Sequence, residues 1–264
     1  MGLFDFLKKK EQPNEITQPE KPIAEENKKQ PYFGDLSKTG ILHQLVQTPP
    51  TERDERWQQN FLANISEASF CCGDPQVVTG PDGFPYFQLF LPEPNKSFQC
   101  YVIDKMKDDF LLASGFGVVI NPTSNSADWV LSYGDILNLH LNQAFYTTTD
   151  TPFSKQITDE TITENEQVMI GQPSEQLLPQ QTRKLIADFL KANGFAHPKV
   201  LLMMRHGKDG KDVTQDLVFN LTPENFSDEN TYRMMMQTIG WYLPRHYSFV
   251  GMREESLEND FMPL

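Results

Sequence analysis

The chain is short of cysteine, of cationic side chains and of long apolar runs, and each shortage removes a class of function. Three cysteines in 264 residues cannot build the disulfide framework that holds small secreted folds together. Lys and Arg total 23 against 36 Asp and Glu, for a net charge of -13. Neutralising phosphates requires clustered cations, so nucleic-acid binding is excluded. No run approaches the roughly 20 apolar residues that cross a bilayer, and a mean hydropathy of -0.50 fits a soluble chain. Metal and nucleotide signatures are also missing. His43, His140, His197, His206 and His246 make neither His-x-x-x-His nor His-Glu-x-x-His spacing. The adjacent Cys71-Cys72 pair points apart instead of converging on an ion, and reads as a buried helix end. Gly115-Phe116-Gly117 and Gly207-x-x-Gly210 match neither the P-loop nor the dinucleotide fingerprint. No metal, no cofactor and no catalytic residue is therefore expected, and a non-enzyme is the preferred reading.

What is present begins with a short apolar stretch and a polar segment behind it. Met1 to Leu7 is apolar and is followed by Lys8, Lys9 and Lys10, the reverse of a secretory signal, whose charge precedes its apolar stretch. A cytoplasmic location is expected. The apolar tip could touch a membrane surface or a partner, although a frayed terminus is the plainer reading. Residues 11–34 are Glu, Gln, Asn, Lys and Pro, too polar to offset the entropy of ordering. Leu42, Leu45 and Val46 form a brief helical turn before Pro49-Pro50. Residues 1–50 are read together as a disordered tether with a short apolar tip.

Two folded units follow. In residues 51–150, Trp57, Phe61, Leu62, Ile65 and Ala68 predict an amphipathic helix over 52–69, with Thr51 as its cap. Thr79-Gly80-Pro81-Asp82-Gly83 is turn chemistry between strands at 77–78 and 84–91. Further strands are expected at 98–103, 116–120 and 129–131, with a helix at 108–112 and another capped by Ser132 and Asp135. In residues 165–253 the expected order is strand, helix, strand, strand, helix, strand. This is the ferredoxin-like βαββαβ pattern, whose first and third strands are central. Residues 254–264 read as a loose acidic tail. The fold class is α+β: two small α+β domains behind a tether.

Three stretches resemble the SseB-like (enhanced serine sensitivity) family. They are Gly117-Val118-Val119-Ile120-Asn121-Pro122 with Trp129 and the helix from Asp135, then Val168-Met169-Ile170-Gly171-Gln172-Pro173 with Leu178-Pro179, then Pro198-Lys199-Val200. They span about residues 115 to 205. The resemblance implies two α+β domains in a bacterial cytoplasmic protein, with no catalytic residues to carry over.

Aromatic and basic residues supply the candidate sites. Tyr86, Phe87 and Phe90 in one strand, with Trp129 and Tyr133 nearby, exceed what one sheet face can hide, so a partner-binding face is expected there. Arg205-His206 and Arg245-His246 flank strands of the second unit and would form an anion pocket if those ends met. The ferredoxin-like order places them on opposite edges. Met203, Met204 and Met234 to Met236 read as core fillers more than as a binding surface. Charge is uneven: residues 51–150 hold 13 acidic and 5 basic side chains, whereas residues 1–50 hold 7 of each. The resulting expectation is a protein-interaction or regulatory module that binds a basic protein partner, an immunity-type protein being a narrower form. The alternatives are a hydrolase with a site between the domains and a small-ligand sensor for amino acids.

Overall fold

In the computed structural model the described residues are 33–153, 168–206, 213–257 and 260–264. The apolar tip with its lysines, most of the tether and the 207–212 turn lie outside them. Helix α1 (Leu36–Leu45) is capped by Asp35, whose carboxylate accepts from Ser37 N at 2.8 Å. It docks through the fully buried Leu42, so the apolar run read with the tether is part of the folded body.

The first half continues with α2 (Glu55–Ile65), β1 (Cys71–Thr79) and β2 (Pro85–Phe90). Next come α3 (Ile103–Met106), a π-helical turn (Lys107–Leu111), α4 (Leu112–Ser114), β3 (Gly117–Ile120), β4 (Trp129–Leu131) and α5 (Tyr133–Asn142). Asp54, not Thr51, caps α2 by accepting from Trp57 N at 2.8 Å. The helix buries Trp57, Phe61 and Ile65, spaced four apart on one stripe. The expected strand at 98–103 does not form. Only Tyr101 pairs, in an isolated bridge with Phe70 just before β1, and without a ladder of partners the chain turns into helix at Ile103. Cys71 and Cys72 lie on β1, not at a helix end.

The second half contains β5 (Val168–Gly171), α6 (Gln180–Ala192), β6 (Lys199–His206), β7 (Val213–Phe219), α7 (Glu229–Tyr242), β8 (Phe249–Gly251) and β9 (Met262–Pro263). The chain order is βαββαβ as expected, but the neighbours are not those of a ferredoxin-like sheet. The order is β5-β6-β7-β8, with β5 antiparallel to β6 and β8 parallel to β7. Helix α7 returns the chain beside the hairpin strand it has just left, so β8 takes the edge of β7 that a central third strand would give to the first.

The first sheet has order β1-β2-β3-β4, again with an antiparallel hairpin followed by a parallel strand reached through helix. The two halves thus share one unit: α2, hairpin β1–β2, helical crossover, β3; and α6, hairpin β6–β7, α7, β8. In each, one sheet face packs under helices. Phe87, Leu89, Val118, Ile120 and Leu131 form that face in the first half, and Val200, Leu217 and Phe219 in the second.

The expected loose tail instead covers the other face of the second sheet. Phe261 is buried on Leu201, Met203 and Val218, Met262–Pro263 pairs with Lys199–Val200, and Glu254 accepts from Lys199 Nζ and Asn220 Nδ2, both at 2.6 Å. Apolar burial outweighs the charge of this segment.

Both sheets belong to one compact unit, Phe33–Leu264, and the end of α7 joins them. Trp241 stacks on Phe84 with ring centroids 4.2 Å apart and an interplanar angle of 4°. Its Nε1 donates to Tyr86 Oη at 3.1 Å. Tyr242 meets Tyr133 edge-to-face at 5.5 Å, and Tyr133 Oη lies 2.9 Å from Thr182 Oγ1 on α6. Beside these rings is a buried charge. Asp135 is fully buried and closes the capping box of α5, accepting from Ser132 N at 2.9 Å. Its two oxygens also accept from Arg245 Nε and Nη2 at 2.7 and 2.8 Å. The Arg245 guanidinium lies 4.5 Å over the Tyr146 ring. Gly134 makes this approach possible, since a Cβ there would sit 2.0 Å from Leu243 O.

Arg245 is itself 60% exposed, so removing it leaves the buried Asp135 carboxylate short of donors on its solvent side only, and Arg245→Ala is expected to lose about 2 kcal/mol. Trp241→Ala is expected to lose about 3–5 kcal/mol, and Gly134→Ala to destabilise despite the better helix propensity of alanine. Urea unfolding followed by fluorescence checks all three, and a stability unchanged in Arg245→Ala would show that the ion pair does not join the halves.

Candidate functional site

The face of the first sheet turned away from its helices is open. Strand alternation puts Val78, Tyr86, Gln88, Val119 and Val130 on it, and they line a groove of 640 Å³. The ladder fixes the floor: Gln88 is opposite Val119, and Val119 is opposite Val130. Val130 is 45% exposed, while its neighbour Leu131, pointing inward, is fully buried.

The walls are the turn Thr79–Asp82 and the loop Pro122–Ala127, and hydrogen bonds hold both in place. Asp82 accepts from Phe84 N at 3.2 Å and from Tyr86 Oη at 2.5 Å. Asn121, at φ 48°, accepts from Leu91 N at 3.0 Å and donates to Asp128 Oδ2 at 2.7 Å. Asp128 in turn pairs with Arg53 at 2.7 Å. Thr123 N donates to Ser126 O at 2.7 Å, closing the loop. Gln88 Nε2 donates to Pro75 O at 2.6 Å, so the one polar group in the middle of the floor is already satisfied by the chain.

Of the five aromatic residues expected to form a partner face, Tyr86 alone lines the groove, at its Trp241-covered end. Tyr86, Phe87 and Tyr133 are buried, and Trp129 and Phe90 are half-buried. A single sheet face could not hide them, but two layers do. Phe87 packs inward on Phe110 and Tyr101, and Trp129 meets Trp57 and Phe61 of α2. Tyr86 and Tyr133 are covered by Trp241. Burial drives the Tyr86 hydroxyl well above the usual tyrosine range, and its bond to Asp82 adds to this. The open surface on the expected strand therefore belongs to the alternate residues. Alternation through Trp129-Val130-Leu131 carried that signal, but which parity faces outward is decided by the helices.

The described members of the basic quartet lie in separate surroundings. Arg205 pairs with Asp216 at 3.1 Å on β7, whose other oxygen accepts from Ser248 Oγ. Arg245 belongs to Asp135 in the other half. His246 packs edge-on to Phe153 and Tyr247, and burial lowers its pKa. The side chain of His206 is outside the described set. The two arginines are neutralised by different carboxylates and share no site.

The methionines and cysteines are also accounted for. Met203 and Met235 are buried in the core as expected, while Met234 is 60% exposed. All three cysteines are free. Burial raises the Cys71 thiol, which disfavours the nucleophilic thiolate. Among the described residues no group of three or more His, Cys, Asp or Glu is placed to hold a metal ion, and no helix is long and apolar enough to cross a membrane.

A second cavity, of 280 Å³, lies where the π-helical turn and α5 meet the start of α6. Lys107, nearly buried, donates to Asp104 and Asp108, both at 2.9 Å. His140 Nδ1 lies 2.6 Å from Asp108 Oδ1. Burial raises Asp108, but hydrogen bonds from Lys107 and His140 outweigh it and hold the carboxyl below its usual range. Because the folded value is the lower one, Asp108 stabilises the fold above its unfolded pKa, and this is lost as pH falls through the folded value. Asp108→Asn is therefore expected to flatten the loss of stability below about pH 4, measured by chemical denaturation across the acid range.

Comparison with protein-family models, with curated proteins and with solved structures finds no match for this chain.

Proposed function

We propose that the chain is a protein-interaction module that binds a basic partner on the open face of its first sheet. The observation that carries this reading is the preformed groove: an apolar floor of Val78, Val119 and Val130 between hydrogen-bonded walls. Rigid concave surfaces bind with little ordering cost. The excess of acid in residues 51–150, 13 side chains against 5 basic, would steer a basic protein towards it. The resemblance of residues 115–205 to SseB-like proteins supports a bacterial, cytoplasmic setting. Neutralisation of a basic toxin is a narrower form of the same reading.

The test is recovery of partners on the full chain from extracts of cells that naturally express it, with identification by mass spectrometry. A stoichiometric basic protein is expected at low salt, weakened at high salt. Val130→Lys should lower its retention by about tenfold or more, because a lysine both fills the floor and repels the partner. Val130→Thr, similar in shape, should keep most of it. No stoichiometric partner at either salt, or one indifferent to Val130→Lys, overturns the reading.

One observation favours a second reading, a hydrolase-type site between the two halves: the cavity that brings Asp108, His140 and Lys107 within hydrogen-bonding reach beside Thr182. An Asp–His pair orients an imidazole as a general base. Turnover of a simple aryl ester that disappears in His140→Ala would support it, and equal rates in the two proteins would remove it.

A further inference from the structure

The second sheet shows what covers such a face, because the two halves repeat one unit. Strands β1, β2 and β3 correspond to β6, β7 and β8 in pairing and direction. Gln88 and Val119 of the groove thereby match Val218 and Val250 on the outer face of the second sheet. On that outer face Leu201, Met203 and Val218 are buried and Val250 is half-buried. The chain's own final segment lies across it, with Phe261 as the buried anchor at 5% exposure. The segment also pairs its backbone with β6, through Met262–Pro263 opposite Lys199–Val200 and Leu264 N donating to Pro198 O at 3.0 Å. The covering device is thus an extended strand that places one aromatic ring on an apolar row and adds main-chain hydrogen bonds to the end of β6 that β5 leaves unpaired.

The first sheet presents the same arrangement without that cover among the described residues. Val130 is 45% exposed, and β1, the counterpart of β6, is the edge strand of its sheet. Gln88 stands where the second sheet has Val218, β4 extends the first sheet beyond β3, β5 flanks β6 in the second, and charge differs as well. The covering segment of the second sheet is acidic, and its Glu254 is matched by Lys199, whereas the charged residue on the wall of the groove is Asp82.

Building on the interaction reading above, we infer that the partner engages the groove as an extended, basic segment with a single aromatic anchor, as Phe261 engages the second sheet. The ring seats on Val119 and Val130, the backbone crosses the open face towards Val78, and a cation meets Asp82.

The probe is a fluorescein-labelled peptide with the sequence of residues 252–264 in which Glu254, Glu255, Glu258 and Asp260 are each changed to Lys, titrated into the full chain by fluorescence anisotropy. Saturable binding is expected. It should weaken about tenfold or more in the Val130→Lys protein, and equally when the phenylalanine of the peptide is changed to alanine. Thermal melts confirm that Val130→Lys folds, and Val130→Thr, expected to bind within a few-fold of wild type, serves if it does not. No saturable binding, binding indifferent to Val130→Lys, or binding indifferent to loss of the phenylalanine each overturns the inference. Binding by displacement of the chain's own strap from the second sheet would show itself as indifference to Val130→Lys. If the natural partner depends on Val130 but the peptide does not bind, the interaction reading stands and the anchored-segment inference falls. If neither depends on Val130, both fall.

Discussion

The Asp135–Arg245 pair is the constraint on which the rest of the molecule depends. A fully buried carboxylate is tolerable only if its lone pairs are filled, and here three donors fill them: Ser132 N from its own helix cap and two nitrogens of Arg245 from the other half. One side chain therefore starts α5 and also fixes where the end of α7 must lie. Trp241 and Tyr242, four and three residues before Arg245, are then brought against Phe84, Tyr86 and Tyr133. The rings supply apolar contact at the join and the ion pair supplies its register.

That join also explains the shape of the groove. Trp241 closes over Tyr86, which removes one end of the outer face of the first sheet from solvent and leaves the part floored by Val119 and Val130 open. The same face in the second half is closed by the C-terminal segment. The repeated unit makes two related faces, and the chain has one covering segment among its described residues. An apolar sheet face left to water is a cost that binding can recover.

Much of this was legible before the tertiary structure. Turn chemistry at Thr79–Gly83, the capping box at Ser132 and Asp135 and the 3.6-residue stripe of α2 all specify local structure through nearest neighbours, and those elements formed. The segment 98–103 did not form a strand, because a strand needs a ladder and propensity alone supplies none. The aromatic excess around residues 84–90 was real. Its interpretation as a surface failed because the covering residues are distant: Trp241 lies about 155 residues after Tyr86, and Trp57 about 72 residues before the Trp129 it covers.

By itself the sequence determined the class of the fold, the acidic balance concentrated in residues 51–150, the absence of metal and nucleotide signatures and the positions of most helices. These follow from composition and from interactions within a few residues along the chain. Tertiary structure alone decided the strand order, the union of Asp135 with Arg245, the conversion of an acidic tail into a cover and the choice of Val130 over its aromatic neighbours as open surface. Each of those rests on contacts between residues far apart in sequence, where local periodicity states that a face exists but not what will lie against it.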